Sequence, residues 1–215
     1  QVAPIPEALS AVDTAPLMCA GLTIYAALKK CRLSPGQTVA ISGCGGGLGH
    51  LGLQYAAKMG YNVVGVDAAD GPLELARGLK TGARIYDARR TTAEDILQDI
   101  APVDAVVILP ESQKAFDYGV SLLKNHGLCV VVSFPTAGFH VSARDLVFRD
   151  IQVVGSLIGS NTLMREMLQF TAAQGIRSIT RTFALPDLNK LVEEYHKGGG
   201  GKLVIDMALS PAGGQ

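Results

Sequence analysis

Five of the seven residues from Gly43 to Gly49 are glycine, and they directly follow a short apolar segment, Val39 to Ser42. Glycine adopts positive φ without steric penalty and lets a ligand approach the backbone closely. A helix-forming run begins at about Leu48, and the free N–H groups of a helix N-terminus favour a bound anion. These features predict a turn that holds the pyrophosphate of a dinucleotide. The predicted contacts are Gly43, Gly45, Gly46, Gly47, Leu48 and Gly49.

The spacing Gly-x-Gly-x-x-Gly occurs literally at Gly47, Gly49 and Gly52. That frame starts late relative to the end of the apolar segment, so the earlier glycines are the better candidates for the phosphate turn. Such a match is weak evidence alone, and its position between a strand and a helix strengthens it.

Asp67 ends the next apolar segment, eighteen residues after Gly49. A carboxylate there accepts hydrogen bonds from the ribose 2′- and 3′-hydroxyls and repels a 2′-phosphate. Ala68 and Ala69 follow, and no adjacent arginine is present to receive such a phosphate. The pattern therefore favours NAD over NADP. The alternative is an ordinary turn residue at a strand end.

The four histidines and four cysteines show no spacing typical of a metal site, and no two cysteines form a CxxC pair. Cys44 lies within the glycine turn, where a helix N-terminus would lower its pKa and make it reactive. His50 falls in the first turn of the following helix and is expected to be a solvated surface imidazole. The alternative is a ring that leans toward a bound phosphate.

The elements around these residues alternate between strand and helix. Strands are predicted at 38–42, 62–66, 84–86, 105–109, 128–133 and 151–154. Helices are predicted at 10–30, 48–59, 72–81, 93–100 and 112–123. Continuous Val/Ile/Leu strands separated by helices are typical of a parallel sheet covered on both faces. The fold class is therefore α/β, a doubly wound parallel sheet of the Rossmann type.

The last sixty residues differ from this pattern. A helix is predicted at 161–174, a strand at 177–185, a helix from Pro186 to about His196, and a final strand at 202–207. These elements either extend the sheet or belong to a second domain that is mostly missing.

Composition excludes several classes of function. Nineteen basic and nineteen acidic residues give a formal net charge of zero, so neither nucleic acid nor an anionic membrane surface is an expected partner. The apolar runs are too short to span a bilayer, and the N-terminus lacks the pattern of a signal peptide. The scattered cysteines favour a cytoplasmic location. The absence of an initiator Met suggests that the natural start lies upstream of Gln1.

Several segments together resemble zinc-dependent alcohol dehydrogenases of the medium-chain dehydrogenase/reductase superfamily, and the fungal, yeast-type branch most of all. The matching segments are 17–29, 40–49, 54–61, 151–156, 165–168 and 202–206. The resemblance implies that the cofactor domain spans 31–175. It makes 1–30 a linking helix region and 176–215 an α+β remnant that normally packs with the catalytic domain.

The resemblance also implies roles for individual residues. Cys19 matches the third ligand of the catalytic zinc, and Thr23, one helical turn later, matches a threonine that packs on the nicotinamide. Lys202 stands where the family usually has an arginine that reaches the cofactor phosphates. The segments that would line the nicotinamide half of the cleft contain Ile108, Leu109, Ser133, Phe134, Ser156 and Leu157.

The sequence also departs from the family in two respects. The region that carries the other two zinc ligands, the proton relay and the structural zinc lobe is absent, and one thiolate does not make a tetrahedral site. Cys19 is then expected to be a buried, unligated helix cysteine. Lys202 supplies charge but not the bidentate fork of arginine. The glycine run before it is alternatively a flexible surface turn.

Two functions of different classes follow. The first is the NAD(H)-binding part of an oxidoreductase that transfers hydride between NAD and a small alcohol or aldehyde, with zinc supplied only in the complete protein. The second is a truncated, stand-alone member that serves as a binding module or a non-redox enzyme. A third, the zinc-free quinone reductase branch, is disfavoured by Cys19 and by the absence of a basic residue beside Asp67. The apolar surface left by a missing domain predicts a homo-oligomer.

Overall fold

A computed structural model describes residues 2–210. Gln1 and residues 211–215, with which the predicted C-terminal segment ends, lie outside the described range. The strands are β1 Thr38–Ser42, β2 Asn62–Asp67, β3 Arg84–Asp87, β4 Val103–Ile108, β5 Leu123–Val131, β6 Gln152–Gly155, β7 Thr180–Phe183 and β8 Lys202–Ile205. The α-helices are α1 Ala11–Thr14, α2 Ala20–Lys30, α3 Gly49–Lys58, α4 Asp70–Gly78, α5 Ala93–Asp99, α6 Gln113–Leu122, α7 Ala143–Phe148, α8 Asn161–Gln174 and α9 Leu188–Lys197.

The main sheet has six parallel strands in the order β3-β2-β1-β4-β5-β6. Ile41 at the centre of β1 pairs with Gly65 on one side and with Val107 on the other. The chain therefore runs outward from β1 in both directions, which creates a topological switch point between β1 and β4. The prediction of a doubly wound parallel sheet is confirmed.

Both faces of the sheet are covered by helices. Helices α2, α3 and α8 pack on one face around Leu51 and Met167, and α5 and α6 pack on the other around Ile96 and Phe116. Because the central strands are buried on both sides, their sequences read as unbroken Val/Ile/Ala runs.

The predicted helix over 10–30 is interrupted in the structure. Ser10 caps α1 by accepting a hydrogen bond from the Asp13 N–H at 3.0 Å. The chain then tightens into a 3₁₀ turn at Ala15–Met18, and α2 begins at Ala20 with a 53° change of direction. Pro16 lies at this point, where its missing N–H removes a helical hydrogen bond.

Helix α7 was not predicted. Ser142 accepts a hydrogen bond from the Asp145 N–H, and no residue of α7 is buried. A six-residue helix without an apolar face toward the core has no periodic signal to detect.

The C-terminal strands β7 and β8 pair with each other in parallel and form a separate two-stranded sheet, with α9 as the crossover. Within the described residues, they therefore do not extend the main sheet. This β7–α9–β8 unit, residues 180–205, contacts the main body through β7 beside α1, through the glycine run 198–201 beside α4, and through β8 beside the 3₁₀ turn at Ala15–Met18. The segment 177–179, which leads into β7, is hydrogen-bonded to α3.

Within residues 2–210, no single helix has the length and hydropathy of a membrane span. The bent pair Ala11–Met18 and Ala20–Lys30 reaches them only when its two segments are taken together.

Candidate functional site

The carboxyl ends of β1, β4, β5 and β6 are joined stepwise by backbone hydrogen bonds. Leu109 N–H donates to Ser42, Val132 N–H to Ile108, and Ser156 N–H to Val131, with lengths of 3.3, 3.1 and 2.9 Å. The predicted segments therefore meet at one edge of the sheet. In open α/β sheets, ligands bind at this edge, beside the switch point.

The glycine turn has a shape that side chains would prevent. Gly43 has φ of +79°, and its N–H donates to the Val66 carbonyl at 2.8 Å. A Cβ on Gly45 would lie 1.8 Å from the Pro72 carbonyl oxygen, and one on Gly49 would lie 2.1 Å from that of Gly43. The turn is thus fixed between β2, the start of α4 and its own backbone.

The N–H groups of Gly47, Leu48 and Gly49 have no hydrogen-bond acceptor in the described part of the chain. They are three consecutive donors at the N-terminus of α3, the arrangement that binds a phosphate. A pyrophosphate therefore fits this part of the chain.

Lys202 lies over the same turn. Its side-chain Cδ is 3.0 Å from the position that a Cβ on Gly47 would occupy. The glycine run that precedes it is packed here as well, because a Cβ on Gly200 would approach the Gly45 carbonyl oxygen to 2.6 Å. The structure thus brings the predicted phosphate lysine to the predicted phosphate turn.

Asp67 is tied to the turn by hydrogen bonds. Its Oδ2 accepts from the Gly45 N–H at 3.0 Å, and its Oδ1 accepts from the Ala68 N–H at 2.8 Å. The carboxylate also lines a cavity of about 310 Å³ between the ends of β2 and β4. This volume lies within the range of small-ligand pockets.

Arg89 lines the same cavity and was missed by sequence reasoning. Asp67 and Asp87 are register partners on β2 and β3, so a residue just after Asp87 reaches the Asp67 side of the edge. No arginine directly follows Asp67 in the sequence, as expected, but Arg89 lies in the same cavity as Asp67 in the folded chain. Only the strand register, which is not written in the sequence, could have revealed it. Lys114 and Tyr118 of α6 complete this wall.

The Arg89 guanidinium is already engaged by two carboxylates. Its Nε and Nη2 donate to Asp87 at 2.9 and 2.7 Å, and Nη2 also donates to Asp70. These hydrogen bonds lower the pKa of Asp87 to about 2 and lower the pKa of Asp70. The arginine charge is therefore balanced by acidic partners within the rim.

Two expectations about the turn are wrong. Cys44 is fully buried, and desolvation raises the pKa of its thiol to about 12, so it is not a reactive thiolate. His50 is also fully buried rather than solvated. Its ring contacts the Gly46 carbonyl and the segment 177–179, because α3 turns that face toward the C-terminal segment instead of toward water.

Cys19 lies at the N-terminus of α2 and is exposed, which corrects the expectation that it is buried. The break at Pro16 and the new helix start at Ala20 lift it out of the core. Thr23 follows one turn later, and its N–H donates to the Cys19 carbonyl at 2.9 Å. No group of three potential metal ligands exists among residues 2–210, so these residues alone do not fit a zinc ion.

The residues predicted to line the nicotinamide half of the cleft differ in how exposed their side chains are. The side chain of Ile108 packs toward Gly119 of α6 and is fully buried, so only its backbone faces the edge. Ser133 donates from Oγ to the Pro110 carbonyl at 2.9 Å. Phe134 and Leu157 are 79% and 81% exposed, whereas Ser156 is buried and Leu109 is half-buried.

Comparison with known proteins shows which family the chain resembles. A family model described as zinc-binding dehydrogenase matches residues 47–173. An alcohol dehydrogenase of Geobacillus stearothermophilus is 37% identical over 207 residues, and alcohol dehydrogenase 1 of Neurospora crassa is 35% identical over 214. These matches cover 96% and 95% of this chain but only 61% and 60% of the relatives, so the chain spans about three fifths of their length.

Solved structures agree with the sequence matches. A cinnamyl alcohol dehydrogenase of Sorghum bicolor superposes with a TM-score of 0.84 at 26% identity, over 98% of this chain and 60% of that one. The alcohol dehydrogenase of Aeropyrum pernix gives 0.79 at 28% identity, over 92% and 60%. The chain therefore belongs to the zinc-binding dehydrogenase family, as an alcohol dehydrogenase-like member.

Proposed function

We propose that this chain is the NAD(H)-binding part of an oxidoreductase that transfers hydride between NAD and a small alcohol or aldehyde. The observation that carries the proposal is the run of free N–H groups at Gly47, Leu48 and Gly49, beside the Asp67 cavity. In this arrangement, the amides and Lys202 would hold the pyrophosphate, and Asp67 would accept hydrogen bonds from the adenosine ribose. NAD supplies the hydride acceptor when bound.

We further propose NAD rather than NADP. The Asp67 carboxylate would repel a 2′-phosphate, and Arg89, the arginine that lines the same cavity, is paired with Asp87 and Asp70. Lys114 also lines the cavity, but its ammonium does not supply the bidentate fork with which an arginine binds a phosphate. A 2′-phosphate would therefore meet a negative group without a free arginine to balance it.

The chemistry of this chain alone is proposed to stop at binding. Cys19 has no partner ligands among the described residues, so zinc and turnover would need the part of the relatives that this chain does not span. Thr23 is the proposed neighbour of the nicotinamide. We also propose that the chain belongs to the fungal, yeast-type branch of the family and that its location is cytoplasmic.

A stand-alone binding module is the second candidate. The exposed apolar side chains near the carboxyl edge, such as Phe134 and Leu157, favour it, because a partner or a second copy would cover them.

Titration of the purified chain with NADH, followed by NADH fluorescence, tests the proposal. We expect saturable NADH binding, weaker NADPH binding, and no turnover with added zinc and ethanol. Asp67→Asn should weaken NADH binding about tenfold, since it removes a charged acceptor. Asp150→Asn is the matched control, because Asp150 is exposed at the opposite edge and its φ of +50° suits asparagine. Absence of NADH binding would refute the dinucleotide site, and turnover would refute the restriction to binding.

A further inference from the structure

We propose that His50 is a positioning residue that ties the β7–α9–β8 unit to the glycine turn and thereby places the Lys202 ammonium against the cofactor pyrophosphate. This inference rests on the proposed function, because it assumes that the turn binds a dinucleotide. The sequence alone predicts a surface imidazole at this position.

The contacts of His50 join two parts of the molecule. Nδ1 lies 2.9 Å from the Gly46 carbonyl oxygen, within the turn. Nε2 lies 3.1 Å from the Ile179 nitrogen and 3.3 Å from the Ser178 hydroxyl, in the segment that leads into β7. The ring is fully buried between them.

These partners define one tautomer. The Gly46 carbonyl can only accept, so Nδ1 must carry the proton, and the Ile179 N–H can only donate, so Nε2 must present its lone pair. The neutral Nδ1–H imidazole satisfies both ends. An imidazolium would set an Nε2–H against the Ile179 N–H, with the Lys202 ammonium also nearby.

The connection continues to Lys202 through one residue. The Ile179 carbonyl accepts a hydrogen bond from the Lys202 N–H at 2.8 Å, where β8 begins. The Lys202 side chain then reaches back over Gly47. The Gly46 carbonyl, His50, Ile179 and Lys202 thus form a continuous path from the turn to the cation above it.

Gln54 provides a matched comparison within the same helix. It lies one turn after His50 and holds the same segment, since its Nε2 donates to the Arg177 carbonyl at 2.9 Å and its Oε1 accepts from the Arg177 N–H at 3.2 Å. Among its described contacts, none reaches the glycine turn. Loss of Gln54 removes a tether of the segment, whereas loss of His50 also removes the link to the turn.

Two substitutions separate the bonds of His50. The amide of His50→Asn can occupy the Nδ1 position and keep the Gly46 contact, but it cannot reach Ile179. The amide of His50→Gln can occupy the Nε2 position and accept from Ile179, but it loses Gly46. Calorimetric titration with ADP-ribose measures pyrophosphate binding, and titration with adenosine measures the remaining site.

We expect Lys202→Met to weaken ADP-ribose binding about tenfold, the effect of one charge-assisted hydrogen bond. His50→Asn should approach the same loss, and the double variant should bind no more weakly than Lys202→Met alone. His50→Gln keeps the Ile179 bond that leads to Lys202 and loses the Gly46 bond, so it should bind ADP-ribose less weakly than His50→Asn does. Gln54→Ala should stay within about twofold of the unmodified chain, and adenosine affinity should be unchanged throughout. Thermal unfolding of each variant checks that it is folded.

Several results would overturn the inference. If the unmodified chain binds ADP-ribose and His50→Asn binds it equally well, or if the effects of His50→Asn and Lys202→Met simply add, His50 does not position the lysine. Nitrogen-15 NMR of the unmodified chain needs no variant, and an Nε2–H tautomer at neutral pH would also refute the proposal. Failure of the unmodified chain to bind ADP-ribose would instead refute the proposed function, and this inference with it.

Discussion

The buried imidazole of His50 makes the stability of the fold sensitive to mild acid. Desolvation, the largest cause, lowers its pKa to about 4, whereas a solvated histidine titrates near 6.5. Because the folded-state pKa is depressed, the unfolded chain binds the proton first as the pH falls below 6.5. The stabilisation is therefore present above pH 6.5 and is lost progressively down to about pH 4.

We expect the free energy of unfolding to fall by on the order of 3 kcal/mol across that window. Urea unfolding at pH 7 and at pH 4.5 measures it. His50→Gln should remove most of the dependence, whereas His140→Gln, which changes an exposed histidine, should leave it intact. Asp87 contributes only at lower pH, because its pKa is about 2 and its loss begins below the ordinary value of 3.8. An unchanged free energy between the two pH values would contradict the prediction.

At the scale of residues, the sequence predicts those that are recognised by residue type and local spacing. It does not predict those whose role depends on neighbours that are distant along the chain. The glycines of the turn and Asp67 follow directly from strand–turn–helix spacing. Arg89 enters the cavity only through the pairing of β2 with β3, and the burial of His50 depends on a segment more than 120 residues away. Spacing along the chain shows neither that Arg89 lies near Asp67 nor that the segment 177–179 covers His50.

At the scale of elements, Gly52 sets how closely α3 approaches α2 and β1. A Cβ there would lie 2.8 Å from Ile24 Cγ1 and 3.1 Å from Ile41 Cδ1. The third glycine of the literal Gly-x-Gly-x-x-Gly spacing therefore serves helix–strand packing, as the third glycine of that fingerprint commonly does.

Gly52→Ala is expected to destabilise the fold by about 1–3 kcal/mol, because overpacking at the buried interface exceeds the gain in helix propensity. Gly78→Ala is the control, since an added Cβ meets nothing within 4 Å at the exposed end of α4. It should be neutral or stabilise by up to about 1 kcal/mol. Chemical denaturation of both variants measures the difference, and equal effects would contradict the packing argument.

Element types were predictable because the strands are largely apolar and the helices α3 to α6 between them have buried faces, with capping side chains at Thr92 for α5 and at Ser112 for α6. Element ends were less so. Strand β5 begins at Leu123, five residues before its predicted start, because its early part is largely exposed and has no apolar run. The C-terminal strands were recognised as strands, but their pairing was left open, since a four-residue strand does not specify its partner.

At the scale of the whole molecule, the part of the chain around β6 exposes several large apolar side chains. They lie in α7 and in the loops that follow β5 and β6, and they are Phe134, Leu146, Val147, Phe148, Leu157 and Ile158. Extensive exposed apolar surface is uncommon on monomers, so we expect these side chains to be covered in solution by another copy of the chain.

Size-exclusion chromatography with light scattering tests this expectation. The unmodified chain should self-associate, and the double substitution Val147→Asp and Phe148→Asp should shift it to the monomer. Both residues lie in α7, which contributes no buried side chain, so the fold should tolerate the change. Leu209→Asp, at an exposed position of the C-terminal segment, is the control. A stable monomer at all concentrations would refute the prediction.

The three open amides of the glycine turn have a consequence for the energy landscape. The turn keeps its shape only with glycine at positions 45 and 49, where a Cβ would lie 1.8 and 2.1 Å from backbone oxygens, and in this shape the three amides already have no internal acceptor. An anion can therefore accept their hydrogen bonds without any rearrangement of the turn. Binding then requires little loss of backbone entropy, and the ligand adds to the stability of the whole sheet by mass action.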